Sequence, residues 1–218
     1  TGLPPTDAEL NKFLADESAE SWSKVIDRLL DSPQYGERWG RHWLDVAGYA
    51  DSEGATNSDV NRLWAYKYRD WVIRAIGEDM PFDQFITWQL AGDELVDPPY
   101  KNMTDQEIDK LTATGYLRMA ADGTGQVNDV ASRNQVVIDT VKIVSTGLLG
   151  MSVGCAQCHD HRYDPISQKD YYRLRAVFEP ALNPKRWKVP GNRAVSLYTD
   201  EDHAKAAEIE AKAQEQVA

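Results

Sequence analysis

Apolar residues recur every three or four positions along most of the chain, the spacing of one face of an α-helix. The clearest of these segments start at Trp22, Trp39, Trp64, Phe82 and Val130. Residues 51–61 break the pattern with the polar, turn-rich run DSEGATNSDVN, which predicts a loop. The pattern as a whole predicts a mainly α fold, a single irregular multi-helix domain.

Capping residues indicate where several of these helices begin. Ser18 or Ser21 precedes the first segment, and either could supply its N-cap. Thr104 and Glu107 have the spacing of a capping box, in which each side chain bonds the other residue's backbone N–H. The run Ser167–Asp170 marks another helix start, ahead of an apolar face.

Two stretches near the end of the sequence differ from the rest. Residues 187–198, centred on Gly191 and Asn192, predict a short β-hairpin. From Asp200 the chain is rich in Ala, Glu, Lys and Gln, which favour helix but offer little apolar surface to bury. We therefore expect one domain over residues 1–199 and, over residues 200–218, a helical stub leading to a missing downstream region.

Composition narrows the class of protein. The 218 residues are 42% apolar and 27% charged, with a net charge of −11. That charge argues against non-specific binding to nucleic acid, which needs a cationic surface. No apolar run reaches the roughly 18 residues of a membrane-spanning helix, and two cysteines are too few for a disulfide-stapled mini-domain. Seven Trp and ten Tyr predict a core whose N–H and O–H groups need partners.

Both cysteines lie in the pentapeptide Cys155-Ala156-Gln157-Cys158-His159. C-x-x-C-H is the attachment sequence of a c-type haem. Two thiols three positions apart can each add to one haem vinyl group, and the following imidazole can then bind the iron as proximal ligand. The motif predicts a covalently attached haem c held by Cys155, Cys158 and His159, with the helices wrapped around it.

Three other interpretations of the cysteines compete. A structural zinc site would have to take its second pair of ligands from His159 and His161, although adjacent Cys158 and His159 fit poorly around one tetrahedral ion. A thioredoxin-type dithiol requires a strand before the motif, and the preceding LLGMSVG does not predict one. The third is a chance match, which the absence of any other cysteine makes less attractive.

A six-coordinate iron would need a second protein ligand on the opposite face. His161 lies too close to His159 in sequence to reach it. His42, on a tryptophan-rich helix far away in sequence, is the leading candidate, unless it is an ordinary core histidine. Met119 is the best methionine alternative, and the choice matters because methionine raises the reduction potential. The weaker candidates are Met80, Met103, Met151 and His203.

The chain becomes basic after the motif. Buried haem propionates need cationic partners, and Arg162 with one or two others could supply them. The basic residues of this part are Arg162, Lys169, Arg173, Arg175, Lys185, Arg186, Lys188 and Arg193. The polar run from Asp160 to Pro165 could orient His159 through its Nδ1 or form only a turn.

The block GLLGMSVGCAQCHDHRYDPISQKDYYRLRAVFE resembles the haem-motif region of the planctomycete cytochrome-like DUF1549 (PSCyt2) domain. Further blocks similar to that family occur in the same order, among them TGLPPT, YGERWGRHWLDVAGYADS, DMPFDQFITWQLAGD and NQVVIDTV. The resemblance implies a secreted or periplasmic domain of a larger protein that carries other redox domains. Gly48 departs from the family pattern, which more often has Arg there.

By position, the resemblance implies haem-site roles for Cys155, Cys158, His159 and His161. Its R-H-W-L-D block adds four candidate site residues, Arg41, His42, Asp45 and Asp51. A distal His beside an Arg is what cleavage of a bound peroxide requires, so these four would be catalytic if the domain is an enzyme.

Three functions therefore compete. The first, which we favour, is extracytoplasmic electron transfer by a mono-haem domain, to other redox domains of the same polypeptide or to a partner cytochrome. The second is oxidative or peroxidase-type catalysis at the haem. The third is a non-redox metal-binding or interaction domain.

Overall fold

The computed structural model describes residues 1–54 and 60–217, and within them the chain is almost entirely helical. The helices are α1 (Asp7–Leu14), α2 (Ser21–Leu30), α3 (Pro33–Ala47), α4 (Ala65–Gly77), α5 (Phe82–Ala91), α6 (Asp105–Ala113), α7 (Val130–Leu149), α8 (Gln168–Val177) and α9 (Asp200–Val217). Short 3-10 turns join several of them. The mainly α prediction is confirmed.

The core is built around the close pairing of α3 with α4. Gly36 permits this approach, because a Cβ added there would lie 2.5 Å from the carbonyl oxygen of Ile73. Trp71 of α4 stacks on Phe85 of α5 with ring centroids 5.1 Å apart. Helix α6 and the 3-10 turn Thr114–Arg118 complete this part of the core.

Helix α7 links that core to the CxxCH motif. Its apolar positions 137, 141 and 144 are buried, and its Gly147 faces Val46 at the end of α3. The helix ends where Gly150 adopts φ +62°, a left-handed conformation that glycine tolerates without strain. Helix α8 then packs on both α7 and the 3-10 turn Val153–Gln157 that carries the motif.

The predicted hairpin at residues 187–198 is wrong. This segment holds a 3-10 turn, Pro190–Asn192, and no strand. Its side chains fasten it to the core instead: the Trp187 indole N–H donates to Thr124, and Arg193 contacts buried Asp122. Within the described ranges, β-structure is limited to the isolated bridge between Ser52 and Asn61.

That bridge closes the base of the loop predicted at residues 51–61, of which residues 55–59 lie outside the described part. Helix α3 ends at Gly48, whose φ of +72° explains why glycine suits this position. The cap predicted for α2 at Ser18 or Ser21 is wrong, because Glu20 is the N-cap and provides no side-chain bond.

Helix α9 extends from Asp200 to Val217 with its residues exposed to solvent wherever burial is described. Residue 218 of the predicted stub lies outside the described part. Among the helices of residues 1–54 and 60–217, none combines the length and apolar character needed to cross a bilayer.

Candidate functional site

The two cysteines of the motif lie at the surface, between the end of α7 and the start of α8. Both thiols are free and both residues are exposed. A hydrogen bond of 3.0 Å from the Cys155 N–H to the Ser152 carbonyl begins the 3-10 turn that presents them. Cys155 and Cys158 are therefore accessible to a reactive partner from outside the protein.

His159 is exposed, and the backbone of Asp160 holds its imidazole in one tautomer. Its Nδ1 lies 2.7 Å from the carbonyl oxygen of Asp160. Since a carbonyl only accepts, Nδ1 must carry the proton, which leaves the lone pair of neutral imidazole on Nε2. Bonding of Nδ1–H to a backbone carbonyl is the arrangement that orients metal-binding histidines.

His161 is bound on both ring nitrogens by the protein itself. Its Nδ1 accepts the backbone N–H groups of Tyr163 and Asp164, at 3.2 and 2.9 Å, so Nε2 carries the proton and donates to Ser152 Oγ at 3.0 Å. The Asp164 carboxylate lies 3.4 Å from Nδ1, and the His161 side chain is only 7% exposed. These contacts leave neither ring nitrogen of His161 free to bind a metal, as the zinc interpretation would require.

The N-terminus of α8 holds the motif from the other side. The backbone N–H of Gln168 donates to the Asp160 carboxylate at 2.8 Å, and its side-chain amide donates to the carbonyl of Gln157 at 3.0 Å. Helix α8 begins where the sequence predicted a helix start, and Ser167 and Asp170 form a capping box there. The Ser167 hydroxyl and then its backbone N–H lower the pKa of Asp170 by hydrogen bonding to the carboxylate.

Arg162 projects from the loop after the motif. Its guanidinium lies over the ring of Tyr163, 5.5 Å from the centroid, and both side chains are exposed. A cation in this position could pair with an anionic group bound beside the motif.

The donor set fits a c-type haem better than the alternatives. Two exposed thiols and a histidine with its Nε2 lone pair available are the groups that attachment requires. A zinc site would need His161, whose two ring nitrogens are both engaged in hydrogen bonds within the protein. A thioredoxin-type site would need a preceding strand, and α7 occupies that place.

Arg41 and Asp45 share a cleft on one side of α3, and Asp51 is joined to that cleft through Tyr49. Arg41 and Asp45 line a cleft of about 300 Å³ between α3 and α4. Tyr49 lines the same cleft and donates its hydroxyl to Asp51 at 2.5 Å. Partial burial, and then the hydrogen bond to Asp51, raise the pKa of Tyr49 to about 12.

His42 opens into a different groove. This groove of about 650 Å³ lies between α3, α4 and α5, and Trp39, Met80 and Phe82 are among its lining residues. The His42 ring packs against Trp39 with centroids 5.3 Å apart. The structure therefore separates His42 from Arg41 and Asp45, and residues of the CxxCH motif line neither groove.

The other candidate iron ligands differ in accessibility. Met119 is 5% exposed and belongs to the core, so it would have to leave its packing to reach the surface motif. Met80 shares the groove of His42. Met103 is half-buried, Met151 is exposed beside the motif, and His203 lies on α9 against Tyr198.

Sequence reasoning missed the residues that hold the motif in place, Ser152 and Gln168. Only the helix start at Ser167 signalled that α8 approaches the motif. The roles of Ser152 and Gln168 depend on the path of the loop between them, which leaves no periodic pattern in the sequence.

Comparison with known proteins gives one result. A family model, PSCyt2, described as a protein of unknown function (DUF1549), matches residues 1–182. No curated protein and no solved structure matches this chain.

Proposed function

This chain belongs to the PSCyt2 (DUF1549) family of proteins of unknown function, and from its motif we propose that it is a mono-haem c-type domain that transfers electrons outside the cytoplasm. The observation that carries the proposal is the state of Cys155, Cys158 and His159. The two thiols are exposed and unpaired, and His159 is fixed with its Nε2 lone pair available.

Each of these side chains has a defined task in the proposal. Cys155 and Cys158 hold the haem through thioether bonds, and His159 binds the iron through Nε2. A bound haem supplies an iron that cycles between the ferrous and ferric states. The Asp160 carbonyl keeps the proton on Nδ1, and Arg162 is placed to pair with a propionate.

The proposed compartment and partners follow from the same chemistry. Covalent attachment keeps a haem on a protein that could otherwise lose it outside the cytoplasm. Electron transfer needs no substrate pocket at the motif, and we propose that the partner is another redox domain of the same polypeptide or a separate cytochrome.

The geometry supports an oxidative enzyme less well. Peroxide cleavage would need His42 and Arg41 to face the same side of one haem. Those two side chains line different grooves, and neither groove includes a residue of the motif.

The test is to produce the protein in a host with haem-attachment machinery and to record its absorption spectrum and intact mass. We expect one covalently bound haem, seen as an increase in intact mass and as a spectrum that changes reversibly on reduction and oxidation, without turnover of peroxide. C155S, C158S and H159A should reduce loading, whereas H203A, which removes an exposed histidine on α9, should not.

Other results would redirect or overturn the proposal. A high-spin ferric haem that turns over peroxide would favour the enzyme. A colourless protein whose two cysteines are alkylated would contradict haem attachment and favour the non-redox domain.

A further inference from the structure

We propose that His161 is a positioning residue: its ring folds the loop after the motif so that the Asp160 carbonyl holds His159 in the iron-binding tautomer. The inference rests on the proposed function for the iron, but the hydrogen bonds that carry it belong to the protein alone. It assigns His161 a role that the H-x-H spacing does not suggest.

The first step is the turn that His161 builds. Its Nδ1 accepts two backbone N–H groups, from Tyr163 and Asp164, which forces residues 161–164 into a tight turn. The same ring donates from Nε2 to Ser152 Oγ, nine residues earlier, and so ties this turn to the segment before the cysteines. The His161 side chain itself is only 7% exposed, so the ring is held in place by packing as well as by these three bonds, whose partners lie at the surface.

The second step fixes the peptide unit between Asp160 and His161. The turn continues with a 2.7 Å bond from the Ile166 N–H to the Asp164 carbonyl, and Ile166 itself is buried in the core. The Ile166 carbonyl then accepts the backbone N–H of His161 at 2.8 Å. A trans peptide is planar, with its N–H and C=O pointing in opposite directions. Fixing that N–H therefore fixes the direction of the Asp160 carbonyl.

The third step is the effect on His159. The fixed Asp160 carbonyl accepts Nδ1–H at 2.7 Å, which excludes the tautomer with its proton on Nε2. The Asp160 carboxylate is held independently by the Gln168 N–H, so this residue is fixed at both its backbone and its side chain. A histidine held in this way needs no rearrangement to bind iron, and its Nδ1–H bond makes it a stronger electron donor.

Two substitutions distinguish the roles of the two ring nitrogens of His161, because each one replaces only one of them. In H161N the amide oxygen can take the place of Nδ1, because asparagine readily accepts backbone N–H groups two or three residues ahead. In H161Q the longer amide can reach Ser152 as Nε2 does, but it has no acceptor at the position of Nδ1. S152A removes only the Nε2 partner and leaves the turn intact.

The experiment measures the His159 tautomer by nitrogen-15 NMR in the haem-free protein and the midpoint potential in the haem-loaded protein. We expect H161N and S152A to keep the proton on Nδ1 and the wild-type potential. H161Q should give a mixture of tautomers and a higher potential, because a weaker imidazole donor stabilises ferric iron less. If His161 only stabilised the fold, both H161N and H161Q would lower the melting temperature, and they would not differ in the His159 tautomer or in the midpoint potential.

Wild-type protein provides a measurement that does not depend on any variant folding. Scalar couplings across the hydrogen bonds from the Tyr163 and Asp164 N–H groups to His161 Nδ1 should be detectable. Their absence, or an unchanged His159 tautomer in H161Q, would overturn the inference. Failure of the wild-type protein to acquire haem would contradict the proposed function, while the NMR measurements on the haem-free protein would still decide the role of His161.

Discussion

A buried amide joins three helices at the centre of the molecule. Gln89 of α5 is fully buried, and its Oε1 accepts the indole N–H of Trp43 at 2.9 Å and the hydroxyl of Tyr68 at 2.7 Å. Its own amide donates to the Phe85 carbonyl. The expectation that Trp and Tyr would need polar partners is met here, but Gln89 could not be identified from sequence, because it lies 46 residues from Trp43.

We expect Q89L to lower the free energy of unfolding by about 2 kcal/mol, because it removes the acceptor shared by the buried Tyr68 hydroxyl and the half-buried Trp43 indole. Urea denaturation followed by tryptophan fluorescence would measure the loss. Q106L, at an exposed position of α6, provides the control and should change stability little. Equal midpoints for both variants would show that the buried amide does not stabilise the core.

Tyr116 makes the folded protein less stable as the pH becomes alkaline. It is 1% exposed, and burial raises its pKa to about 12 from the ordinary 10.0. Between these values the unfolded chain releases the phenol proton and the folded chain does not, so the free energy of unfolding decreases as pH rises.

The contribution of Tyr116 is complete below pH 10 and is lost progressively from about pH 10 to pH 12, in total about 3 kcal/mol. Denaturation at a series of pH values should therefore show a shallower decline for Y116F than for the wild type. Y163F, at a residue that is 84% exposed, should decline as the wild type does.

At the scale of secondary structure, capping boxes were predictable where a clear apolar face followed them. The predicted starts at Thr104 and Ser167 are confirmed. The same spacing occurs at Thr6 and Glu9 and begins α1, which the apolar pattern did not reveal because the helix buries none of its residues. Ser18 is not a cap because α2 begins later, with Glu20 at its N-cap, and the Ser18 hydroxyl instead accepts a bond from Lys24.

Two of these boxes provide a matched test of the link between α8 and the motif. We expect S167A and T104A each to cost about 1 kcal/mol of stability, the usual effect of losing an N-cap. Only S167A should raise the rate at which iodoacetamide alkylates Cys155 and Cys158 in the haem-free protein, because Gln168 then holds Asp160 and Gln157 less firmly. The same alkylation rate in both variants would indicate that the motif is held independently of α8.

At the scale of the whole molecule, the fold extends past residue 182, where the family match ends. Asp122, with a fully buried carboxylate, contacts both Arg118 and Arg193, at 2.9 and 3.0 Å. Trp187 packs on the Arg193 guanidinium with 4.5 Å between them. These contacts fasten the segment around residue 190 to the core.

We expect R193M to lower the free energy of unfolding by about 2 kcal/mol, since it removes one of two cations from a buried carboxylate. K188M, at an exposed residue of the same segment, is the control. The comparison needs only urea denaturation curves. If both variants unfold at the wild-type midpoint, the ion pair of Arg193 with Asp122 does not stabilise the fold.

How far the candidate site could be predicted also depends on scale. The motif and the two helices around it could be read from local spacing. The separation of His42 from Arg41 could not, because adjacent helical residues point about 100° apart and only the packing of α4 and α5 determines which groove each one enters. The contacts of His161 depend on a loop whose path has no periodic signature.

The exposure of Cys155 and Cys158 has a consequence for how the protein matures. In an oxidising compartment, two exposed thiols this close in sequence can form a disulfide with each other. A disulfide has no free thiol that could add to a haem vinyl group. Attachment of haem and oxidation of the two cysteines to a disulfide would then compete with each other in the newly made chain. If the domain is exported and loaded with haem as proposed, the yield of mature protein would depend on how well its cell supplies reductant at the site of export.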